Sequence, residues 1–140
     1  MNNKEFIFGV SSEKQLATVC HEMELTLRYA LSLGVFDISV IEGYRDQYKQ
    51  DGYFYSGKSK VMFPDSDHNQ YPSKAADVYP YPNNDDDLGR KYMFAGFIIA
   101  CGAHLGYDIG YGGDWDGDKN TVDQKFIDLP HFWYRGPLKN

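Results

Sequence analysis

Four side chains in two separated stretches have the types that hydrolytic metal chemistry needs. His68 and Asp77 stand nine residues apart across a proline-containing segment, and Asp128 and His131 stand three apart in Asp128-Leu129-Pro130-His131-Phe132. Two imidazoles and a carboxylate can hold zinc and leave a fourth position open, and one further acid is then at hand to move protons. Of the four histidines, His21 and His104 fall within helical patterns, which suits solvated or structural roles, whereas His68 and His131 lie in loop or strand context near acids. Spacing alone leaves open whether these two are ligands or hydrogen-bonded structural residues.

A second group lies just upstream of Asp128. Asp114, Asp116, Asp118 and Asn120 alternate in the register of a calcium loop built from oxygen ligands. Lys119 replaces the glycine such a loop carries at its sixth position, Lys125 stands where a bidentate Glu would close it, and Asp123 offers a replacement carboxylate. The stretch therefore reads either as a calcium site or as a solvated acidic loop.

The elements that position these groups follow from periodicity. Leu16, Val19, Cys20, Met23, Leu27, Ala30 and Leu31 recur at helical intervals, which predicts one helix capped by Ser11 or Ser12 and ending near Gly34. Phe36 to Glu42 is β-branched and alternating, a strand that runs into Gly43-Tyr44-Arg45. Asp46 to Tyr55 reads as a short polar helix closed by Ser56-Gly57-Lys58. Lys58 to Asn84 holds four prolines and one short strand, Ala75 to Tyr79, so most of it is extended loop. Asp85-Asp86-Asp87 suits the positive end of a second long helix, which either packs closely through its glycines or stops near Gly102. Tyr107 to Gly113 and His131 to Tyr134 supply the last strands. Helices and strands that do not alternate as βαβ units imply an α+β domain.

At 140 residues the chain is expected to form a single domain, 1–140, with its own core. A formal charge of −6 argues against a nucleic-acid partner, which needs a basic footprint. No stretch is long and apolar enough to insert in a membrane, and Met1 to Glu5 opens no export signal. Cys20 and Cys101 sit in apolar helical contexts and read as small buried hydrophobes. The 12 tyrosines suit either a binding surface for polar ligands or ordinary core filling.

Three blocks carry a family resemblance. Ser66-x-His68 with Pro72-Ser73-Lys74-Ala75-Ala76-Asp77-Val78-Tyr79-Pro80-Tyr81 resembles the first zinc motif of peptidase family M15, the VanY-like D,D-carboxypeptidases and phage L-alanyl-D-glutamate endopeptidases. Gly112-Gly113-Asp114-Trp115-Asp116 with Asp123-Gln124-Lys125-Phe126-Ile127-Asp128-Leu129-Pro130-His131-Phe132 resembles the second motif in its phage form. Ile41-Glu42-Gly43-Tyr44-Arg45 and Ser56-Gly57-Lys58-Ser59-Lys60 are similar to the upstream block. The likeness runs from about Ile38 to Phe132.

By matching position, the resemblance implies His68, Asp77 and His131 as zinc ligands and Asp128 as the catalytic acid/base. It places Arg45 near the substrate carbonyl or carboxylate, where a structural ion pair is the alternative, and Ser66 as a hydrogen-bonding support of the metal site. It implies the small α+β fold shared by zinc D,D-peptidases and the Hedgehog signalling domain, with a short antiparallel sheet and flanking helices. It implies cleavage of the peptidoglycan stem peptide, first as an L-alanyl-D-glutamate endopeptidase of the endolysin type. A D-alanyl-D-alanine carboxypeptidase and a non-catalytic metal-stabilised peptidoglycan-binding virion module are the alternatives. An enzyme of this kind is expected to be a monomer without a separate wall-binding domain, made in the host cytoplasm and acting at the wall once the membrane opens. Two positions depart from the family. The step from His68 to Asp77 is longer than in the common block, and Trp133 stands where Glu usually follows His-Phe.

Overall fold

The computed structural model describes residues 5–138. In chain order the elements are α1 (Val10–Leu16), α2 (His21–Ser32), β1 (Asp37–Glu42), α3 (Gln47–Tyr55), a 3-10 turn (Asp67–Asn69), β2 (Ala75–Tyr81), α4 (Leu88–His104), β3 (Ile109–Tyr111) and β4 (His131–Tyr134). The strands form one antiparallel sheet in the order β1-β2-β4-β3. It is an α+β fold, as expected.

Strand alternation gives the sheet two different faces. Ile38 and Val40 from β1, Ala76 and Val78 from β2, Tyr111 from β3 and Phe132 from β4 share a core with Met23, Leu27 and Ala30 of α2 and Phe94, Ile98 and Cys101 of α4. The opposite face carries Asp77, His131 and Trp133. Both cysteines are buried and free. His104, at the end of α4, stacks on Tyr29 with ring centres 5.0 Å apart.

Two expectations for the N-terminal helix are corrected. The single helix is two, broken at residues 17–20, because the backbone there bonds elsewhere. Ser73 donates its N–H to Thr18 O and accepts the N–H of Cys20, each at 2.8 Å. The apolar period runs through the break because both helices face one core. Ser12 is no cap: Gly9 occupies that position, and the buried Ser12 Oγ accepts the Val40 N–H of β1 at 3.0 Å.

Other boundaries follow local chemistry. Asp46 caps α3 by accepting the Lys49 N–H, and Asp87 caps α4 by accepting that of Arg90. Helix α4 continues past Gly102, which packs against Ile109 of β3. β2 extends through Pro80. The Val78 N–H donates to Pro130 O, so the Pro80 nitrogen, two residues on, points the same way beyond the end of β4, where no ladder bond is lost.

β1 contains an irregularity that matters for the site. Val40 pairs with Val78, yet Glu42 pairs with Asp77, so two steps on β1 match one on β2. This bulge reverses the alternation and puts Glu42 on the face that carries Asp77 and His131.

Candidate metal centre and its cleft

Asp77 and His131 face each other across the β2–β4 ladder, a pairing that sets their side chains side by side. His68 arrives from the 3-10 turn, whose geometry is held by Ser66. The Ser66 Oγ accepts the His68 N–H at 3.2 Å, and the Asn69 side chain accepts the Ser66 N–H at 3.0 Å. Asn69 also donates to Arg45 O, and the Arg45 N–H donates to His68 O at 2.8 Å, which ties the turn to the end of β1.

The ring orientation of His68 follows from its partner. His68 Nδ1 lies 2.7 Å from Gly43 O. A carbonyl only accepts, so Nδ1 carries the proton and Nε2 presents a lone pair, the arrangement that prepares a histidine for a metal. Gly43 makes this approach close to α1: a Cβ there would sit 2.8 Å from Gln15 O and run into Thr18 Oγ1.

Three donor atoms converge. His68 Nε2 is 3.2 Å from His131 Nδ1 and 3.3 Å from Asp77 Oδ1, and His131 Nδ1 is 3.5 Å from Asp77 Oδ1. Zinc bonds of about 2.0–2.1 Å at tetrahedral angles separate neighbouring ligand atoms by about 3.3–3.4 Å. The trio therefore has the edge lengths of one face of such a tetrahedron. Asp77 Oδ1 is buried and has no hydrogen-bond partner among the described residues, a state that a cation would relieve. Burial favours the protonated Asp77, but the imidazoles of His131 and His68 beside it outweigh burial and hold the carboxyl well below the usual range. The residues present fit a divalent metal.

Arg45 is largely buried beside the trio. Its Nε donates to Glu42 at 2.7 Å, its Nη1 to Gln50 at 2.8 Å, and its Nη2 lies 3.6 Å from Asp77 Oδ2. The guanidinium also lies over the Tyr53 ring, 4.7 Å from its centre. Arg45 thus lines the cleft and is ion-paired at once, and the bulge in β1 supplies its carboxylate partner.

Asp128 is half-buried in the same cleft, which has a volume of about 520 Å³. Its backbone is clamped on both sides: its N–H donates to Gly112 O at 2.8 Å, and its carbonyl accepts the His131 N–H at 3.1 Å. Gly112 is required at this crossing, since a Cβ would strike the Asp128 carbonyl. Burial raises the Asp128 carboxyl above its ordinary range, and the charge of Asp77 adds to this, while His131, His68 and Arg45 oppose it.

In the acidic loop, carboxylates of Asp114, Asp116 and Asp118 converge. Asp114 is 4% exposed; its Oδ2 accepts the Lys119 N–H at 2.9 Å, and its buried Oδ1 has no partner among the described residues. Lys119 adopts φ 68°, the left-handed turn for which a calcium loop uses glycine. Asn120 uses its side-chain oxygen on the Val122 N–H, and Asp123 pairs with Gln124 outside the converging trio. Trp115, between Asp114 and Asp116, leans over His131 with ring centres 5.2 Å apart and donates its indole N–H to Phe126 O at 2.7 Å.

The sequence singled out neither Gln50 nor the packing of Trp115. Gln50 is fully buried within a helix that reads as polar; it accepts from Arg45 and donates to Ser59 Oγ and Val61 O. Nothing in its spacing distinguishes it from a solvated residue. Trp133 lies outside the cleft: it stacks on Trp115 at 5.0 Å, and the Arg135 guanidinium lies 4.6 Å from its ring centre.

Residues 4–134 match the family model for phage L-alanyl-D-glutamate peptidase. The chain belongs to this family. It is 30% identical over 122 residues to the L-alanyl-D-glutamate peptidase of Escherichia phage T5, an alignment that covers 85% of this chain and 88% of that protein. The crystal structure of the L-Ala D-Glu endopeptidase ChiX of Serratia marcescens superposes with a TM-score of 0.72 at 25% identity, over 94% of this chain and 91% of the other. The M15 resemblance and the α+β fold expected from sequence agree with these matches.

Proposed function

We propose that the protein is a zinc peptidase that cuts the L-alanyl-D-glutamate bond of the peptidoglycan stem peptide, as a phage endolysin does. The convergence of His68, Asp77 and His131 at tetrahedral edge lengths, beside Asp128 in one cleft, carries this reading. Family membership supports the bond assignment.

When bound by the trio, zinc supplies Lewis-acid polarisation of the scissile carbonyl and acidifies water. The Asp128 carboxylate takes a proton from the attacking water and returns it to the leaving amine. Its clamped backbone keeps this group beside His131. Arg45 holds Asp77 in orientation and directs positive charge to the cleft, where negative charge develops on the carbonyl oxygen. Ser66 fixes the backbone of His68. The acidic loop is proposed to hold calcium, with Asp114, Asp116 and Asp118 as its carboxylates. Trp133, which a peptidoglycan-binding module would present to its ligand, is packed against Trp115 and Arg135 instead.

The wall is where such an enzyme works, reached from the host cytoplasm after the membrane opens. Among the described residues, no helix is long and apolar enough to cross a membrane. Metal analysis and wall hydrolysis on wild type and Asp128→Asn test the assignment. One zinc should be retained by both, and hydrolysis only by wild type; a zinc-loaded Asp128→Asn of wild-type activity would overturn it.

A further inference from the structure

The proposed bond has a consequence for recognition. A glutamyl residue joined onward through one of its carboxyls keeps the other free, so the substrate brings a carboxylate within one residue of the scissile bond. The cleft is poorly suited to an anion on most sides. Glu42, Asp65, Asp67, Asp77 and Asp128 line it, in a chain of net charge −6. Three cationic side chains stand against them: Arg45, Lys58 and Lys60. Arg45 already serves Glu42, Gln50 and Asp77.

We infer that Lys58 and Lys60 form the subsite that binds the free glutamyl carboxylate, an inference that rests on the L-alanyl-D-glutamate reading above. Neither lysine is ion-paired with a carboxylate among the described residues. Each ammonium instead lies over an aromatic wall of the same cleft, Lys58 5.2 Å from the Tyr53 ring centre and Lys60 5.6 Å from that of Phe126. An aromatic face holds a cation without neutralising it, so the charge stays available to a ligand.

The segment is also anchored. Between the two lysines, the Ser59 N–H donates to Tyr53 O at 3.1 Å, and its Oγ accepts from Gln50 at 2.9 Å and from the Val61 N–H at 3.2 Å. Gln50 in turn accepts from Arg45, which lies 3.6 Å from Asp77. A chain of hydrogen bonds closed by the Arg45–Asp77 ion pair therefore registers the lysine segment against the metal ligands. The two lysines supply compact, rotatable charges, suited to one carboxylate at the open side of the cleft.

The test uses the zinc-loaded full chain and two N-acetyl-L-alanyl-D-glutamyl peptides that differ only in the free glutamyl carboxyl, ionised in one and a carboxamide in the other. In the Lys58→Gln/Lys60→Gln double variant, kcat/KM on the carboxylate peptide should fall about 10- to 100-fold, mainly through KM, as expected for lost charge-assisted hydrogen bonds. The carboxamide peptide should change by less than about twofold, and Lys58→Arg/Lys60→Arg should restore most of the loss. An equal fall on both peptides, or no fall on either, overturns the subsite. If wild type cuts neither peptide at the alanyl–glutamyl bond, the bond assignment fails and the subsite with it, an outcome separate from the others.

Discussion

Asp77 is where residue chemistry and geometry meet most closely. Its Oδ1 is buried without a hydrogen-bond partner among the described residues, beside two imidazole nitrogens. Its carboxyl is held below the usual range in the folded protein, so its charge stabilises the fold above the unfolded value of about 3.9, and that contribution is lost as pH falls through the lower folded value. In metal-free protein, the stability difference between wild type and Asp77→Asn should therefore shrink as pH falls below about 4; a difference that grows there would contradict the assignment. Asp128→Asn should keep the metal and lose about 10²–10⁴-fold in kcat, measured by turnover of purified peptidoglycan. The types and order of the four site residues were readable from the sequence, and the resemblance supplied the roles proposed for them. Gln50 was not readable, because a buried polar side chain and an exposed one look alike until the segment that covers it is placed.

Among the elements, the sheet does most to build the site, through the Asp77–His131 ladder pair and the β1 bulge that turns Glu42 toward Arg45. Alternation identified β1, but a bulge is a property of pairing and leaves no mark on a single strand. For the same reason the apolar stripe merged α1 with α2: period reports the face a residue shows, while the break comes from Ser73, distant in sequence. Ser12→Ala leaves the buried Val40 N–H without its acceptor and should cost about 1–3 kcal/mol of stability in a denaturant titration; a change below experimental error would show that this bond is replaceable. Gly112→Ala pushes a Cβ into the Asp128 backbone carbonyl, so turnover should fall and the melting temperature with it. Equal activity in that variant would mean that the Asp128 turn is not held by this crossing.

At the scale of the whole molecule, one core supports two acidic centres joined by Trp115, which leans over His131 from within the acidic loop. A cation held by Asp114, Asp116 and Asp118 would then set the position of one wall of the cleft. After treatment with EDTA, zinc alone should restore part of the activity, and calcium added with zinc should restore the rest; full recovery with zinc alone would exclude a role for the loop. The alternation of acids made this loop visible in the sequence, whereas its link to His131 depends on how Trp115 packs. Mass spectrometry of peptidoglycan digested by the zinc-loaded protein tests the bond assignment most directly. Cleavage at the proposed bond should release peptides that begin with D-glutamate and leave L-alanine on the glycan, with none from Asp128→Asn. Peptides that begin with L-alanine, or free D-alanine alone, would contradict it.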